Sequence, residues 1–146
     1  MIRDAQPADC SALSALAFAS KAHWGYDDAF MEACREELTV RPAQLDTWRV
    51  RVAGELDGFH AVSPDGELQM LFVAPAAMGA GVGAALFADA CTIAREFGAT
   101  ELYIEADPFA AAFYEHMGAR RIGEVPSVSI PGRVLPAYRI GLSSNV

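Results

Sequence analysis

The sequence predicts an α+β fold, on three observations. Short runs that alternate apolar and polar residues, separated by Gly- and Pro-rich turns, fill the middle of the chain. Longer stretches with apolar residues three and four positions apart stand on either side of them. A single right-handed crossover is expected, between Val73 and Glu101, so most strands return as antiparallel neighbours.

Met1 to Ala5 reads as a short edge strand. From Ala8 to Lys21, Leu13, Leu16, Ala17 and Ser20 recur at helical spacing, with Asp9 or Ser11 as the cap. Asp27 and Asp28 open a second helix with Phe30, Met31, Cys34 and Leu38 on its apolar face, and Pro42 is expected to end it. Between the two lies an aromatic loop, His23-Trp24-Gly25-Tyr26. Trp48, Val50 and Val52 alternate with Arg49, Arg51 and Ala53, the pattern of a half-buried strand. Asp57-Gly58 reads as a hairpin turn, with Gly54 as the other candidate bend, and Phe59 to Ser63 returns. After the Pro64-Asp65-Gly66 turn, Leu68 to Val73 is apolar on both faces and belongs at the centre of a sheet. Val82, Leu86, Ala90, Ile93 and Phe97 mark one face of a long helix that Gly98 stops. Glu101 to Ala106 is a strand. Asp107-Pro108 then starts a helix, with Asp as cap and Pro at its first position. Phe109, Ala112, Phe113 and His116 share a face of that helix. Ala119–Val125 and Tyr138–Leu142 complete the strands, joined by a turn-rich stretch from Pro126 to Pro136.

The chain has 146 residues, 53% of them hydrophobic and 21% charged, enough for one domain, 1–146, with a self-sufficient core. A net charge of −8 argues against a nucleic-acid binder that neutralises many phosphates. It leaves room for a small anionic ligand held by a few oriented backbone amides. Three dispersed cysteines, Cys10, Cys34 and Cys91, read as buried thiols in a reducing compartment. No apolar run approaches the ~20 residues of a membrane span, and the charged start lacks a signal-peptide pattern. The expectation is a cytoplasmic protein without a membrane partner.

The most informative segment is Gly79-Ala80-Gly81-Val82-Gly83, between the central strand and the long helix. Each glycine lowers helix propensity by about 1 kcal/mol, and no Ser, Thr, Asp or Asn stands there as a cap. The first-turn amides therefore lack a side-chain partner. An anion held by bare backbone and the helix dipole would satisfy them; a tight turn with water on the amides is the alternative. A P-loop is excluded, because no Gly-Lys-Ser/Thr follows Gly83. Gly79, Gly81 and Ala84 fit a dinucleotide fingerprint, but mid-chain, after hairpins, where that motif does not belong.

Leu68 to Ala119, about a third of the chain, resembles the acetyl-CoA-binding core of the GCN5-related N-acetyltransferase (GNAT) superfamily. The resemblance rests on three pieces in order: a strand ending Val73-Ala74-Pro75, the loop Met78-Gly79-Ala80-Gly81-Val82-Gly83, and Ala111-Ala112-Phe113-Tyr114-Glu115-His116-Met117-Gly118. Met78 departs from the family's Gln or Arg, and Asp107 stands where many members carry Asn. The resemblance implies a mixed, mostly antiparallel central sheet flanked by about four helices. It also implies transfer of an acetyl group from acetyl-CoA to the amine of a small molecule or peptide, by direct attack. A non-catalytic acyl-CoA-binding module of the same fold is the alternative.

By the same resemblance, Leu71, Phe72 and Val73 pair with the pantetheine arm and face the developing oxyanion. Gly79, Ala80, Gly81, Val82, Gly83 and Ala84 take the pyrophosphate. Asp107 and Phe113 complete the cofactor site, and Tyr114 is the general acid toward the leaving thiolate. An amine must lose a proton before it attacks; Glu67, Glu105, His23 and His60 are the candidate bases. His23, Trp24, Tyr26 and Arg133 are candidates for the acceptor pocket, Arg133 as a partner for an acceptor carboxylate. No Ser-His-Asp or Cys-His arrangement has local support, and the histidines lack metal-ligand spacing, so no metal is expected. Edge-strand pairing into a homodimer is a habit of the family.

Overall fold

The computed structural model describes residues 1–143. Seven strands form one sheet in the order β1-β2-β3-β4-β5-β7-β6. They are β1 (Ile2–Asp4), β2 (Arg49–Ala53), β3 (Gly58–Val62), β4 (Glu67–Val73), β5 (Glu101–Glu105), β6 (Arg120–Pro126) and β7 (Val134–Gly141). Every neighbouring pair is antiparallel except β4 with β5, which α4 connects. Five helices accompany the sheet: α1 (Cys10–Ala22), α2 (Asp28–Cys34), α3 (Pro42–Thr47), α4 (Val82–Glu96) and α5 (Ala111–His116). The α+β expectation therefore holds, with one helix more than the expected four.

The extra helix is α3. Pro42 begins a helix instead of ending one, because its missing N–H falls among the first-turn donors that have no helical acceptor. At the hairpin between β2 and β3 the Gly54 alternative is the one found, in place of Asp57-Gly58. Gly54 to Asp57 makes the turn, with Gly54 at φ +56° and Leu56 at φ +64°, while Gly58 lies inside β3 opposite Ala53. A Cβ at Gly58 would stand 2.7 Å from the Phe72 carbonyl oxygen and 2.9 Å from Leu86, so close packing puts the glycine in the strand. Asp9 does not cap α1 with its side chain; it accepts from the Gln6 amide and from Arg3 instead. The C-terminal strand starts earlier than the sequence indicates, at Val134, because it pairs on both sides, with β5 and with β6.

Two apolar cores cover the two faces of the sheet. On one, Leu13, Leu16, Met31, Cys34 and Leu38 pack on Val50, Val52, Phe59, Ala61 and Met70. On the other, Phe87, Ala90 and Ile93 of α4 pack on Leu102, Ile104, Tyr114 and Tyr138. Burying each large apolar side chain contributes about 1.5–3 kcal/mol. No helix among the described residues is long and apolar enough to cross a membrane.

One irregularity opens the sheet. Ala61 lies opposite Met70 and Val62 opposite Leu68, so Gln69 is an extra, unpaired residue in β4. Such a bulge bends its strand. The β4–β5 ladder correspondingly stops after Glu67–Tyr103 and Leu68–Ile104, and from Met70 to Val73 the edge of β4 facing β5 is unpaired.

Candidate active site

A cleft of about 640 Å³ occupies the space where β4 and β5 part. The unpaired edge of β4 presents main-chain N–H and C=O groups to it. The start of α4 forms a second wall. Gly79 and Gly81 both adopt positive φ (+84° and +83°), and no side chain caps α4 at Gly81. Among the described residues, the amides of Gly79, Ala80, Gly81, Val82, Gly83 and Ala84 meet no side-chain acceptor. Six consecutive donors at the positive end of a helix dipole suit a phosphate group. A Cβ on Gly83 would lie 3.2 Å from the Phe113 ring, so the glycine lets α4 and α5 approach each other beside the loop.

Tyr114 lies between these walls. Its ring packs on Phe87, Phe113 and Tyr138 and is 6% exposed, while the residue borders the cleft. Its hydroxyl has no hydrogen-bond partner among the described residues. Burial, then the negative charge of Asp107, raises the phenol above its ordinary pKa and keeps its proton in place at neutral pH.

Beyond Tyr114 the cleft is walled by side chains. Asp107 caps the turn that leads into α5 by accepting from the Phe109 amide at 2.9 Å. The same carboxylate accepts from Lys21 Nζ at 3.0 Å, Tyr26 Oη at 3.0 Å and Arg133 Nη2 at 3.3 Å. Burial alone would raise the Asp107 carboxyl; Lys21, Phe109 and Tyr26 outweigh it and hold the pKa below the usual range. Arg133 also donates to Tyr26 Oη at 2.6 Å and stacks over the Phe30 ring, 4.9 Å from its centroid. Trp24 stacks on Phe109 with centroids 5.3 Å apart.

Of the residues expected from sequence, Leu71, Phe72, Val73, Gly79, Gly81, Val82, Gly83, Ala84, Glu105, Asp107, Phe113, Tyr114, Trp24 and Arg133 line the cleft. Ala80 sits exposed at the tip of the same loop, and Tyr26 stands behind Arg133 as its acceptor. Among the four candidate bases, only Glu105 borders the cleft. Glu67 is half-buried and outside it, its carboxyl raised by burial and by the neighbouring charges of Glu105 and Asp65. His23 is exposed and also outside. His60 is fully buried at the far side of β3, where Nε2 meets Asp89 at 2.8 Å; burial pushes the imidazole below its ordinary pKa. Asp89, despite its own burial, is held at about 2 by His60 and Arg51, which makes this pair structural. Sequence reasoning missed Lys21 and Gln69. Lys21 follows Ala17 by four positions, which places a cation on the buried stripe of α1; Gln69 interrupts an otherwise apolar central strand.

The family model described as acetyltransferase (GNAT) domain matches residues 8–128. The chain belongs to the GNAT family. Solved structures share the GNAT architecture across nearly the whole chain. A GCN5-related N-acetyltransferase from Rhodopseudomonas palustris aligns at TM-score 0.81 and 24% identity, over 97% of this chain and 95% of that one. A PaiA N-acetyltransferase from Thermoplasma acidophilum, solved in complex with coenzyme A, aligns at TM-score 0.78 and 15% identity, over 97% and 98%. A ribosomal-protein-alanine N-acetyltransferase from Brucella melitensis aligns at TM-score 0.67 and 27% identity, over 97% and 99%. No curated protein sequence matches the chain.

Proposed function

We propose that this GNAT protein transfers the acetyl group of acetyl-CoA to the amine of a small molecule or peptide by direct attack. The observation that carries the reading is the run of unpartnered amides from Gly79 to Ala84, opening on the same cleft as the free hydroxyl of Tyr114. These residues fit the co-substrate: the loop amides suit its pyrophosphate, and the unpaired edge of β4 suits the amide-bearing pantetheine arm. Acetyl-CoA supplies the thioester and a thiol leaving group.

The chain's own groups do the rest. The main-chain N–H groups of Leu71 and Val73, which point to the open edge of β4 while that of Phe72 points to β3, stabilise the negative charge that develops on the thioester oxygen. Tyr114 donates its proton to the departing sulfur, and its raised pKa keeps that proton on the phenol until the thiolate forms. Glu105 takes the proton that the amine must lose. Direct attack is supported by the lining of the cleft. None of the three cysteines borders it, and neither Ser20 nor Ser127, which do, is bonded to a histidine.

The test is a thiol-release screen of acetyl-CoA against amines, amino acids, polyamines, aminoglycosides and peptides, together with thermal unfolding. At 100 times its dissociation constant, acetyl-CoA should stabilise the protein by about 2.7 kcal/mol, and NAD should not. Stabilisation without thiol release on any amine would make the chain a binding module instead of an enzyme.

A further inference from the structure

Two cations share one carboxylate at the acceptor end of the cleft. Lys21 is 8% exposed, and the Arg133 and Asp107 side chains are 17% and 15% exposed. An ammonium has three N–H donors, yet Lys21 spends one, on Asp107. Arg133 spends only Nη2, on Tyr26 and Asp107; its Nε and Nη1 meet no acceptor among the described residues. Glu37 also borders the cleft but forms no ion pair with either cation. The cluster is therefore built with a surplus positive charge and spare donors, in a setting where an unpaired charge is costly.

From this geometry, and resting on the acetyltransferase reading above, we infer that the amine acceptor carries a carboxylate, which Lys21 and Arg133 bind. The cluster is organised for that purpose. Tyr26 accepts from Arg133 while bonding Asp107, and the Phe30 ring supports the guanidinium plane, so the fork is oriented before a ligand arrives. The phosphates of acetyl-CoA are the other source of negative charge. They have the amides at the start of α4, a helix whose core lies on one face of the sheet. Tyr26 and Phe30, which carry the cations, pack into the core on the other face. Glu105 borders the same cleft, so an amino acid-like acceptor would meet cations for its carboxylate and an anion for its amine.

The experiment pairs free amino acids with their carboxamides in the thiol-release assay. The carboxamide amine is the less basic and more of it is unprotonated at neutral pH, so preference for the free acid runs against intrinsic reactivity. The expected preference in kcat/KM is about tenfold or more. Arg133→Gln and Lys21→Met should each raise KM for the acid about 10- to 100-fold and bring the acid-to-carboxamide ratio toward one. Acetyl-CoA affinity, measured by calorimetry, should stay within twofold. Should either variant fold poorly, the wild-type protein with CoA should bind an N-acetyl amino acid more tightly than its carboxamide. Equal use of both substrate series, or loss of acetyl-CoA affinity in the variants, overturns the inference while leaving the enzyme reading intact. Absence of thiol release with every amine, with acetyl-CoA still bound, overturns the enzyme reading and the inference with it.

Discussion

The two ends of the cleft are made of different material. At the start of α4, recognition is offered by consecutive main-chain amides, Gly79 to Ala84. At the other end it is offered by side chains of Lys21, Tyr26, Asp107 and Arg133, with partners as far as 107 residues apart in sequence. A backbone cradle tolerates changes of side chain, provided the glycines remain. Met78, whose side chain offers no strong hydrogen-bond donor or acceptor, accordingly leaves the amides of the loop in place. A side-chain cluster has no such tolerance, because every member holds another in place. The contrast teaches that one end suits a constant ligand and the other a particular one.

The largest effect is expected where the two ends meet. Tyr114→Phe should lower thiol release by about 10²–10⁴-fold, with acetyl-CoA binding retained by calorimetry. Because its pKa is raised, wild-type Tyr114 keeps its proton through neutral pH. No tyrosine-linked fall in rate should therefore appear below the ordinary value of about 10. Full activity in the phenylalanine variant would remove the acid from the mechanism.

Asp107→Asn attacks the side-chain end. It leaves two poorly solvated cations without their carboxylate, and urea unfolding should show a loss of about 3–5 kcal/mol at most. The folded-state pKa of Asp107 is depressed. Its contribution is complete above the unfolded value of about 3.9 and is lost as pH falls through the lower folded value. The variant should lose less stability than wild type over that acid range.

Gly83→Val attacks the backbone end. The new side chain meets the Phe113 ring beside the loop, and acetyl-CoA should bind at least about tenfold more weakly, read as a smaller ligand-induced rise in Tm. The smallest effect is expected at the mouth. Trp24→Ala removes one exposed stacking contact with Phe109 and should cost about 0.5–1.5 kcal/mol in urea unfolding. A much larger loss would mean that the loop after α1 is held chiefly by this ring pair.

Much of the architecture was legible in advance, for a reason that particular residues show. Leu13, Leu16 and Ala17, or Val50 and Val52, declare their element because periodicity is a property of adjacent residues. Pro42 misled because the same missing N–H either ends a helix or begins one, and only the following chain decides which. Gly58 misled because its reason for being glycine is the carbonyl of Phe72, fourteen positions away, and not the turn beside it. His60 looked available as a base because sequence does not reveal which face of β3 is covered by α4.

The chain's letters alone established an α+β protein, an uncapped glycine-rich helix start, and a tyrosine in the segment that resembles the GNAT motif. Helix capping and hydrophobic periodicity act between near neighbours, so they leave a local record. Folding added the parting of β4 from β5, the removal of His60 and Glu67 from the cleft, and the gathering of Lys21, Tyr26 and Arg133 around Asp107. Ion pairing depends on distance through space and on exclusion of water, and neither is written in sequence separation.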